Sequence, residues 1–331
     1  MSIFRLFRKY NKFSLILTLI LIISLVAGCG EIASDKYFGV DSTKETVIAE
    51  GDLPEKLTKD SSGDSSSAAN LPDGTLKVHI IDIGQGLGVL FEFTEDSGTK
   101  HFALYDGGDS AHATVLLNYL SSQGVDKFEY MIVSHFDADH VCGPNVAYPV
   151  YGLNSVVYEP DYRVNTMAFR SWANVTTAAS LLGNVKHPSC GDKVYLGGAE
   201  ITFLSPDKPS DYYEDENNLC IGVLVKYKDS TFFCLGDGEK EEEYDLVERC
   251  NQLGIGLKSN YYIVGHHGSS SSSTEMLMKA ITPEGEHTAL ISCGKDNDYG
   301  HPHDVVVNRL TSMGYNIRRT DTEGSIVIEV K

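Results

Sequence analysis

The sequence is short of positive charge. It has 27 Lys and Arg residues against 46 Asp and Glu residues, which gives a formal net charge of −19 at pH 7. A protein that coats nucleic acid presents a basic face, so this balance excludes a general DNA-coating protein. An enzyme that cleaves nucleic acid is still allowed, because bound cations can supply positive charge locally.

Long apolar runs are scarce as well, and their scarcity excludes a multi-pass membrane protein. The run over 13–27 has 15 residues, whereas a membrane-spanning helix needs about 20. It follows four basic residues and ends in small ones, which is typical of a secretory signal peptide. We therefore predict a cleaved signal peptide over 1–28, with an uncleaved N-terminal anchor as the alternative.

The end of this run, Leu25-Val26-Ala27-Gly28-Cys29, resembles a bacterial lipobox. The resemblance implies a lipid on Cys29 that anchors the protein at the extracytoplasmic face of the cell membrane. Residues 29–75 then form a linker, because 60–67 has no apolar side chains that could build a core. Residues 76–331 contain no visible repeat and are predicted to form one large domain.

No CxxC pair occurs in the sequence. An even number of cysteines in an exported chain permits disulfides, but their spacing and apolar surroundings favour buried thiols. The cysteines that follow Cys29 are Cys142, Cys190, Cys220, Cys234, Cys250 and Cys293.

Nine segments have the apolar or alternating pattern of strands, and four segments between them have helical patterns. The predicted strands are 77–83, 88–93, 101–105, 130–133, 221–227, 231–235, 261–264, 288–291 and 325–330, and the predicted helices are 111–122, 240–252, 274–281 and 304–312. Strands mixed with helices throughout predict an α/β fold with sheets covered by helices. Most polar clusters directly follow a strand, where layered α/β folds place their sites.

The densest polar cluster, Ser134-His135-Phe136-Asp137-Ala138-Asp139-His140, directly follows the strand predicted over 130–133. In an extended loop, alternate side chains project to the same side. A tightening turn then brings His140 beside Asp139. Imidazole and carboxylate together suit Zn, Mn or Fe rather than Ca, so the cluster predicts a transition-metal site.

The pattern His135-x-Asp137-x-Asp139-His140 resembles the HxHxDH signature of the metallo-β-lactamase fold, with Asp137 in place of the second histidine. This variant is similar to the hydrolase domain of ComEC-type competence (DNA-uptake) proteins. Other segments match that domain in the same order: Ile81-Asp82-Ile83-Gly84-Gln85-Gly86, Leu104-Tyr105-Asp106-Gly107-Gly108, Glu216-Asn217-Asn218, Leu235-Gly236-Asp237-Gly238, His266-His267-Gly268-Ser269, Tyr299-Gly300-His301-Pro302 and Arg319-Thr320-Asp321. The resemblance implies an αββα sandwich of the metallo-β-lactamase type, with the metal site along one edge.

The resemblance further implies two divalent metal ions, Zn or Mn. The residues that would hold them are His135, Asp137, Asp139, His140, Asp237 and His267. His135 and Asp137 would hold the first ion. Asp139, His140 and one of the pair His266 and His267 would hold the second, with His267 preferred, and Asp237 would bridge the two ions.

The residues implied to act in catalysis are Asp139, His266 and His301. His266 would face the substrate, and His301 would steady a phosphate or protonate the leaving group. Asp106 would orient a metal ligand without contacting the metal. Asp82 either does the same or caps a strand end, and the serines of 269–273 form either a plain loop or a phosphate-binding loop.

The match to the family is incomplete at three places. Leu87 stands where the opening motif often has Asp, and Cys220 where the asparagine motif often has Ser. In this fold the first metal ion is held by three histidines. No histidine of this chain lies near the position of the third one, and Asn218 is closest to that position in chain order. His187 lies between the metal loop and Asp237, but we interpret it as packing at a strand edge.

These features predict a surface-anchored, metal-dependent phosphodiesterase or nuclease that uses metal-activated hydroxide and has no nucleotide cofactor. DNA is one candidate substrate. A hydrolase of cell-wall or small-molecule phosphoesters, such as phosphorylcholine, is an alternative that the negative charge favours. A non-catalytic binding lipoprotein is a third reading, supported by the missing histidine. The sequence leaves the oligomeric state open.

Overall fold

The computed structural model describes residues 71–206 and 215–331. The predicted signal peptide, Cys29 and nearly all of the predicted linker lie outside the described residues. Lipid attachment and the division of the chain at residue 76 therefore stay predictions. Within the described ranges, none of the helices has the length and apolar character needed to cross a membrane.

The first sheet contains seven strands: β1 Gly74–Ile80, β2 Gly88–Glu95, β3 Lys100–Asp106, β4 Tyr130–Ile132, β5 Val156–Tyr158, β6 Val185–Lys186 and β14 Ile326–Val330. Their order across the sheet is β14-β1-β2-β3-β4-β5-β6. Pairing is antiparallel from β14 to β3 and parallel from β3 to β6.

The second sheet also contains seven strands: β7 Lys193–Leu196, β8 Ala199–Phe203, β9 Val223–Tyr227, β10 Ser230–Cys234, β11 Tyr261–Ile263, β12 Thr288–Ile291 and β13 Asn316–Arg319. Their order is β13-β12-β11-β10-β9-β8-β7. Pairing is antiparallel from β7 to β10 and parallel from β10 to β13, so the two sheets are built alike.

Helices connect the parallel strands, as parallel pairing requires. The α-helices of the described residues are α1 Ala113–Ser122, α2 Ala138–Ala147, α3 Met167–Leu181, α4 Lys240–Leu253, α5 Glu275–Ile281, α6 Asp304–Ser312 and the short α7 Thr320–Glu323. A 3₁₀-helix, Glu216–Leu219, precedes β9, and another, Gly265–Gly268, follows β11.

Alternate strand residues pack into different layers. On β2, Phe91 belongs to a core shared by both sheets, whereas Leu90 packs with residues of α1, α2 and α3. On β9, Val225 faces the same shared core, whereas Leu224 packs with residues of α4, α5 and α6. The molecule therefore has four layers, helix–sheet–sheet–helix, which confirms the predicted αββα sandwich.

All nine predicted strands and all four predicted helices are present, although their ends differ by a few residues. The sequence patterns do not indicate five of the strands (β5, β6, β7, β8 and β13) or the helices α2, α3 and α7. Helix α2 contains Gly143 and Pro144 and is polar at its start, so it has little amphipathic periodicity. No disulfide joins the cysteines of the described residues.

Candidate metal centre

The candidate metal ligands lie where strand ends of both sheets meet. Asp106 is the last residue of β3, and the segment 134–140 follows β4. On the other sheet, Asp237 follows β10, and His267 follows β11. The backbone N–H of Ile221 donates to the Ser134 carbonyl at 2.9 Å, and this hydrogen bond connects the strand ends of the two sheets. Carboxyl ends of parallel strands thus converge on one edge of the sandwich.

The metal loop runs directly into the start of a helix. Asp137 is the N-cap residue of α2, and Asp139 and His140 lie in its first turn. Residues 134–137 precede the helix and Asp137 has an extended backbone, so the expected loop ends in a turn that is the first turn of α2. Helical geometry places Asp139 and His140 on the part of α2 that meets β3, because the His140 carbonyl accepts from the Gly107 N–H at 3.0 Å.

Four of the predicted ligands converge on one point. The four ligand atoms of Asp139, His140, Asp237 and His267 lie within 4.8 Å of one another. His140 Nε2 is 3.1 Å from Asp237 Oδ1, and His267 Nε2 is 3.4 Å from Asp139 Oδ2. Two imidazoles and two carboxylates in this arrangement can hold one divalent transition-metal ion.

The burial of the cluster supports a cation. His140 is fully buried, and His267 and Asp237 are nearly so. Asp237 Oδ1 is one of the buried polar atoms without a hydrogen-bond partner in the described residues. The group that faces this oxygen is the His140 imidazole at 3.1 Å, so the buried carboxylate needs a positive charge beside it, either a protonated imidazole or a bound cation.

The pKa shifts within the cluster also support a bound cation. Burial alone would raise the pKa of Asp139 and Asp237. The facing imidazoles reverse this effect, so the pKa of Asp139 falls to about 2 and that of Asp237 falls well below its usual range. Burial lowers the pKa of His267, but the carboxylates raise it to about 9 overall, and the pKa of His140 rises well above its usual value. The two imidazole protons therefore carry the charge that one divalent cation would supply.

Each imidazole of the cluster is fixed by a partner on its far side. His140 Nδ1–H donates to Asp106 Oδ2 at 2.9 Å, and His267 Nδ1–H donates to the Ser292 carbonyl at 3.0 Å. Both contacts leave Nε2 directed into the cluster, which is the arrangement of metal-binding histidines. Asp106 thus occupies the orienting position that the resemblance implies.

Ser134 and Ser292 help to hold the groups that orient the two imidazoles, and the sequence interpretation assigned neither serine a role. Ser134 donates through its N–H to Asp106 Oδ1 at 2.8 Å and through its hydroxyl to Asp106 Oδ2 at 2.6 Å. The Ser292 hydroxyl donates to the Gly86 carbonyl at 2.7 Å. Ser292 directly follows β12, and Ser134 lies two residues after the end of β4. A position just beyond a parallel strand is the signal that could have identified them.

Three residues of the centre have left-handed backbone conformations that non-glycine residues rarely adopt. Asp106, His266 and His267 have φ values of 54°, 50° and 54°. Such conformations persist only where the surrounding structure enforces them, and they concentrate at functional sites. Gly86 is also constrained, because a Cβ atom there would lie 2.4 Å from the Asp139 carbonyl oxygen.

His135 and Asp137 lie beside the four-residue cluster but outside it. The ring centroids of His135 and His140 are 4.1 Å apart, and His135 Nε2 is 3.7 Å from Asp137 Oδ2. Buried His135 Nε2 has no hydrogen-bond partner in the described residues. The structure thus pairs the two residues predicted for the first ion without placing them in the cluster found for the second.

The two remaining catalytic candidates border the cluster. His266 Nε2 is 3.6 Å from Asp237 Oδ2, and its Nδ1 is 3.2 Å from the Ser271 hydroxyl. The ring centroid of His301 is 6.2 Å from that of His267 and 5.7 Å from that of His266. Burial and the neighbouring histidines lower the pKa of His301 to about 4, so its imidazole is neutral at pH 7.

Other candidates lie away from the cluster or are used structurally. Asp82 is exposed and accepts weakly from the Gly84 N–H at 3.5 Å, which fits the strand-end interpretation. Among the serines of 269–273, the Ser272 hydroxyl donates to the Gly238 carbonyl, and Ser273 Oγ is 2.7 Å from the Tyr262 hydroxyl. His187 Nδ1–H donates to the Glu159 carbonyl at the edge of the first sheet, as expected for packing.

Sequence comparison shows relatives among competence proteins. The chain is 25% identical over 268 residues to ComE operon protein 3 of Bacillus subtilis strain 168, covering 77% of this chain and 33% of that protein. It is 25% identical over 257 residues to competence protein ComA of Neisseria gonorrhoeae, covering 77% and 32% respectively. The chain thus spans about a third of the length of these curated relatives.

No family model matches the chain. Among solved structures, metallo-β-lactamase SMB-1 bound to 2-mercaptoethanesulfonate aligns with a TM-score of 0.39 and 14% identity, covering 60% of this chain and 83% of that one. The four-layer sandwich, the metal-type cluster at its edge and the sequence relatives agree. The chain therefore folds as an αββα sandwich of the metallo-β-lactamase type, and it is similar in sequence to these competence proteins over about a third of their length.

Proposed function

We propose that the chain is a metal-dependent phosphodiesterase. The observation that carries this proposal is the buried cluster of Asp139, His140, Asp237 and His267. Divalent cations bound at such a site polarise a phosphoryl oxygen and make water nucleophilic near neutral pH. The names of the curated relatives refer to competence and recombination, which supports a nucleic-acid phosphodiester as substrate.

The residues of the site have three proposed roles: binding the cation, orienting the imidazoles and contacting the substrate phosphate. The four cluster residues bind the cation, and Asp106 and the Ser292 carbonyl hold the two imidazoles in the tautomer that presents Nε2. His266 and His301 lie beside the cluster, where a substrate phosphate would contact them. Neutral His301 donates a hydrogen bond to phosphate, since an imidazole with a pKa of about 4 holds no extra proton at pH 7.

The test uses the full chain, stripped with a chelator and reloaded with Mn²⁺ or Zn²⁺. We expect hydrolysis of bis-p-nitrophenyl phosphate that EDTA abolishes. The Asp237→Ala variant should be inactive, because Asp237 contacts both imidazoles of the cluster. Asp126→Ala is the matched control: this aspartate is exposed, follows α1 and should leave the rate unchanged.

Two results would contradict the proposal. One is a metal-loaded chain that cleaves neither DNA nor the small diester, which would favour the non-catalytic binding protein. The other is activity in Asp237→Ala equal to that of the unsubstituted chain, which would assign the hydrolysis to a contaminant.

A second candidate substrate class is a small or cell-wall phosphoester such as phosphorylcholine. The observation that favours it is the net charge of −19, which repels polyanions. A panel of phosphorylcholine esters, wall polymers and DNA separates the two classes. A clear preference for DNA in specificity constant would reject this second candidate.

Surface anchoring through a lipid on Cys29 is part of the proposal. The lipobox-like segment ending at Cys29 supports it. Expression of the full chain and of a Cys29→Ser variant tests it by membrane fractionation. The unsubstituted chain should sediment with membranes, and the variant should be released; equal sedimentation of both would contradict lipid anchoring.

A further inference from the structure

The side-chain amide of Gln85 connects the two sheets beside the metal cluster. Its Oε1 accepts from the Gly294 N–H at 3.0 Å, and its Nε2 lies 3.4 Å from His301 Nδ1. Gln85 belongs to the loop between β1 and β2 of the first sheet, whereas Gly294 follows β12 of the second. A loop of the first sheet is thus in direct contact with the ring of His301.

The contact with Gly294 determines which end of the Gln85 amide faces His301. A backbone N–H only donates, so it selects the amide oxygen as its partner. The NH₂ group of Gln85 is therefore the end that faces the imidazole. Because this NH₂ group donates, His301 Nδ1 is an acceptor and has no hydrogen. In the neutral imidazole, the hydrogen is then on Nε2.

The loop that contains Gln85 is packed closely against the residues after β12. A Cβ atom at Gly294 would lie 2.7 Å from the backbone nitrogen of Gln85 and 3.1 Å from the carbonyl carbon of Gly84. The Ser292 hydroxyl donates to the Gly86 carbonyl at 2.7 Å. This packing keeps the Gln85 amide within hydrogen-bond distance of Gly294.

A second amide side chain, that of Asn297, holds the backbone of His301. Its Oδ1 accepts from the His301 N–H at 3.0 Å, and its Nδ2 donates to the His301 carbonyl at 2.7 Å and to the Gly294 carbonyl at 2.9 Å. His301 is also buried, so its ring has little room to turn. Asn297 therefore fixes the backbone of His301, and Gln85 contacts its ring.

The hydrogen on Nε2 is the one that the protein does not use. Among the described residues, Gln85 alone forms a hydrogen bond with the ring of His301. The centroid of this ring is 5.7 Å from that of His266 and 6.2 Å from that of His267, at the border of the metal cluster. An N–H in this position can donate to an anionic oxygen of a bound substrate.

We propose that Gln85 is a positioning residue that sets the tautomer of His301 and so makes Nε2–H the donor to the substrate phosphate. The sequence motif that contains Gln85 gave this glutamine no role of its own. The inference rests on the proposed phosphodiesterase function for the identity of the acceptor. The tautomer itself is a property of the folded chain and can be measured without substrate.

The test reads the ring nitrogens of His301 by long-range ¹H–¹⁵N NMR on the full chain, labelled with ¹⁵N-histidine and loaded with Zn²⁺. The signals of His301 are those that disappear in His301→Gln. In the unsubstituted chain, Nδ1 should have the chemical shift of a nitrogen without hydrogen, and Nε2 that of an N–H nitrogen.

Gln85→Glu should reverse this pattern at Nδ1. One carboxylate oxygen keeps the Gly294 N–H, and the other accepts from His301, so the Nδ1 signal should move to the chemical shift of an N–H nitrogen. Gln123→Glu adds the same charge at the end of α1 and is the matched control, which should leave both signals in place. Gln85→Met removes both amide groups and should give averaged shifts, because both tautomers become populated. It decides the question if Gln85→Glu does not fold.

The inference is overturned if Nδ1 carries the hydrogen in the unsubstituted chain, or if Gln85→Glu or Gln85→Met keeps the Nε2–H tautomer unmixed. Hydrolysis of bis-p-nitrophenyl phosphate gives a second readout. Its kcat/KM should fall about 10- to 100-fold in Gln85→Glu, because a hydrogen bond to a charged oxygen is lost. Equal kcat/KM in the two chains would contradict the positioning role. Failure of the proposed function would instead appear as the expected tautomer without any hydrolysis.

Discussion

Asp106 shows how a single side chain organises the candidate metal centre. It is fully buried, ends β3 in a left-handed conformation, and accepts from the Ser134 N–H, the Ser134 hydroxyl and His140 Nδ1–H. Three donors on one carboxylate fix it in place. His140 is consequently oriented before any cation arrives, and Ser134 is oriented to hold His135 in turn.

Replacing Asp106 by Asn should weaken metal binding. An amide offers one acceptor oxygen and an NH₂ group that faces donors, so His140 loses its orienting partner. We expect the dissociation constant for Mn²⁺ to rise by about 10- to 100-fold, measured by competition with a chromophoric chelator. Asp109→Asn is the control, because it changes the half-buried Asp109–His112 pair outside the cluster and should leave the affinity unchanged. Unchanged affinity in Asp106→Asn would contradict the orienting role.

At the scale of elements, helix α2 reaches the metal centre because its backbone packs directly against the backbone of the turn that follows β3. The Gly143 N–H donates to the Gly108 carbonyl at 2.8 Å, and the Gly107 N–H donates to the His140 carbonyl. A Cβ atom on Gly143 would lie 1.9 Å from the Gly107 oxygen. Glycine at 143 therefore sets the distance between α2 and the turn after β3, and with it the distance between His140 and Asp106.

Gly143→Ala should move α2 away from the first sheet. We expect the free energy of unfolding to fall by about 1–3 kcal/mol or more in urea titration, because backbone atoms cannot move aside easily. Metal affinity should fall with it, since His140 moves with the helix. Gly256→Ala, which meets no atom within 4 Å, is the control and should change stability by less than about 0.5 kcal/mol. Equal stability of both variants would show that α2 docks loosely.

Glu92 links neighbouring strands of the first sheet through a buried charge. It lies on β2, 3.6 Å from His79 Nε2 on β1 and 2.7 Å from Lys100 Nζ on β3. Burial opposes its ionisation, but the facing His79 imidazole and Lys100 ammonium outweigh burial and lower the pKa of Glu92 to about 2. A lowered carboxylate pKa stabilises the folded state above the unfolded pKa of about 4.5, and this contribution is lost as pH falls toward 2.

Glu92→Gln should therefore lower the free energy of unfolding by about 1–3 kcal/mol at pH 7. The difference from the unsubstituted chain should shrink as pH falls from about 4.5 to 2. Urea titrations across this pH range check the expectation, with the exposed Asp96→Asn as a control of unchanged stability. A difference that stays constant down to pH 2 would assign the effect to packing rather than to charge.

At the scale of the whole molecule, the acidic surface opposes binding to a polyanion. The net charge of −19 belongs to the full chain, and the carboxylates of the centre add to the local field until cations neutralise them. Salt screens repulsion between like charges over roughly 10 Å at 0.1 M ionic strength. The response to salt should thus have the opposite sign to that of a basic nuclease.

We expect kcat/KM for DNA cleavage by the Mn²⁺-loaded chain to rise severalfold between low and physiological NaCl concentration. The kcat/KM for a small diester should change little over the same range of salt concentration, because such a substrate carries only one negative charge. Steady-state kinetics on both substrates measure the contrast. A steep fall for DNA with increasing salt would reveal a basic binding surface and contradict this expectation.

The sequence alone determined the α/β class, the strands with long apolar patterns, and the segment 134–140 as a metal motif, because side-chain chemistry and periodicity are local properties. Local patterns could not reveal short strands such as β6, the helical form of the metal motif, or the roles of Ser134 and Ser292. Tertiary structure decided that Asp139, His140, Asp237 and His267 form one cluster and that His135 and Asp137 stand beside it. Distances between strand ends of two different sheets depend on how the sheets pack, and no run of neighbouring residues encodes them.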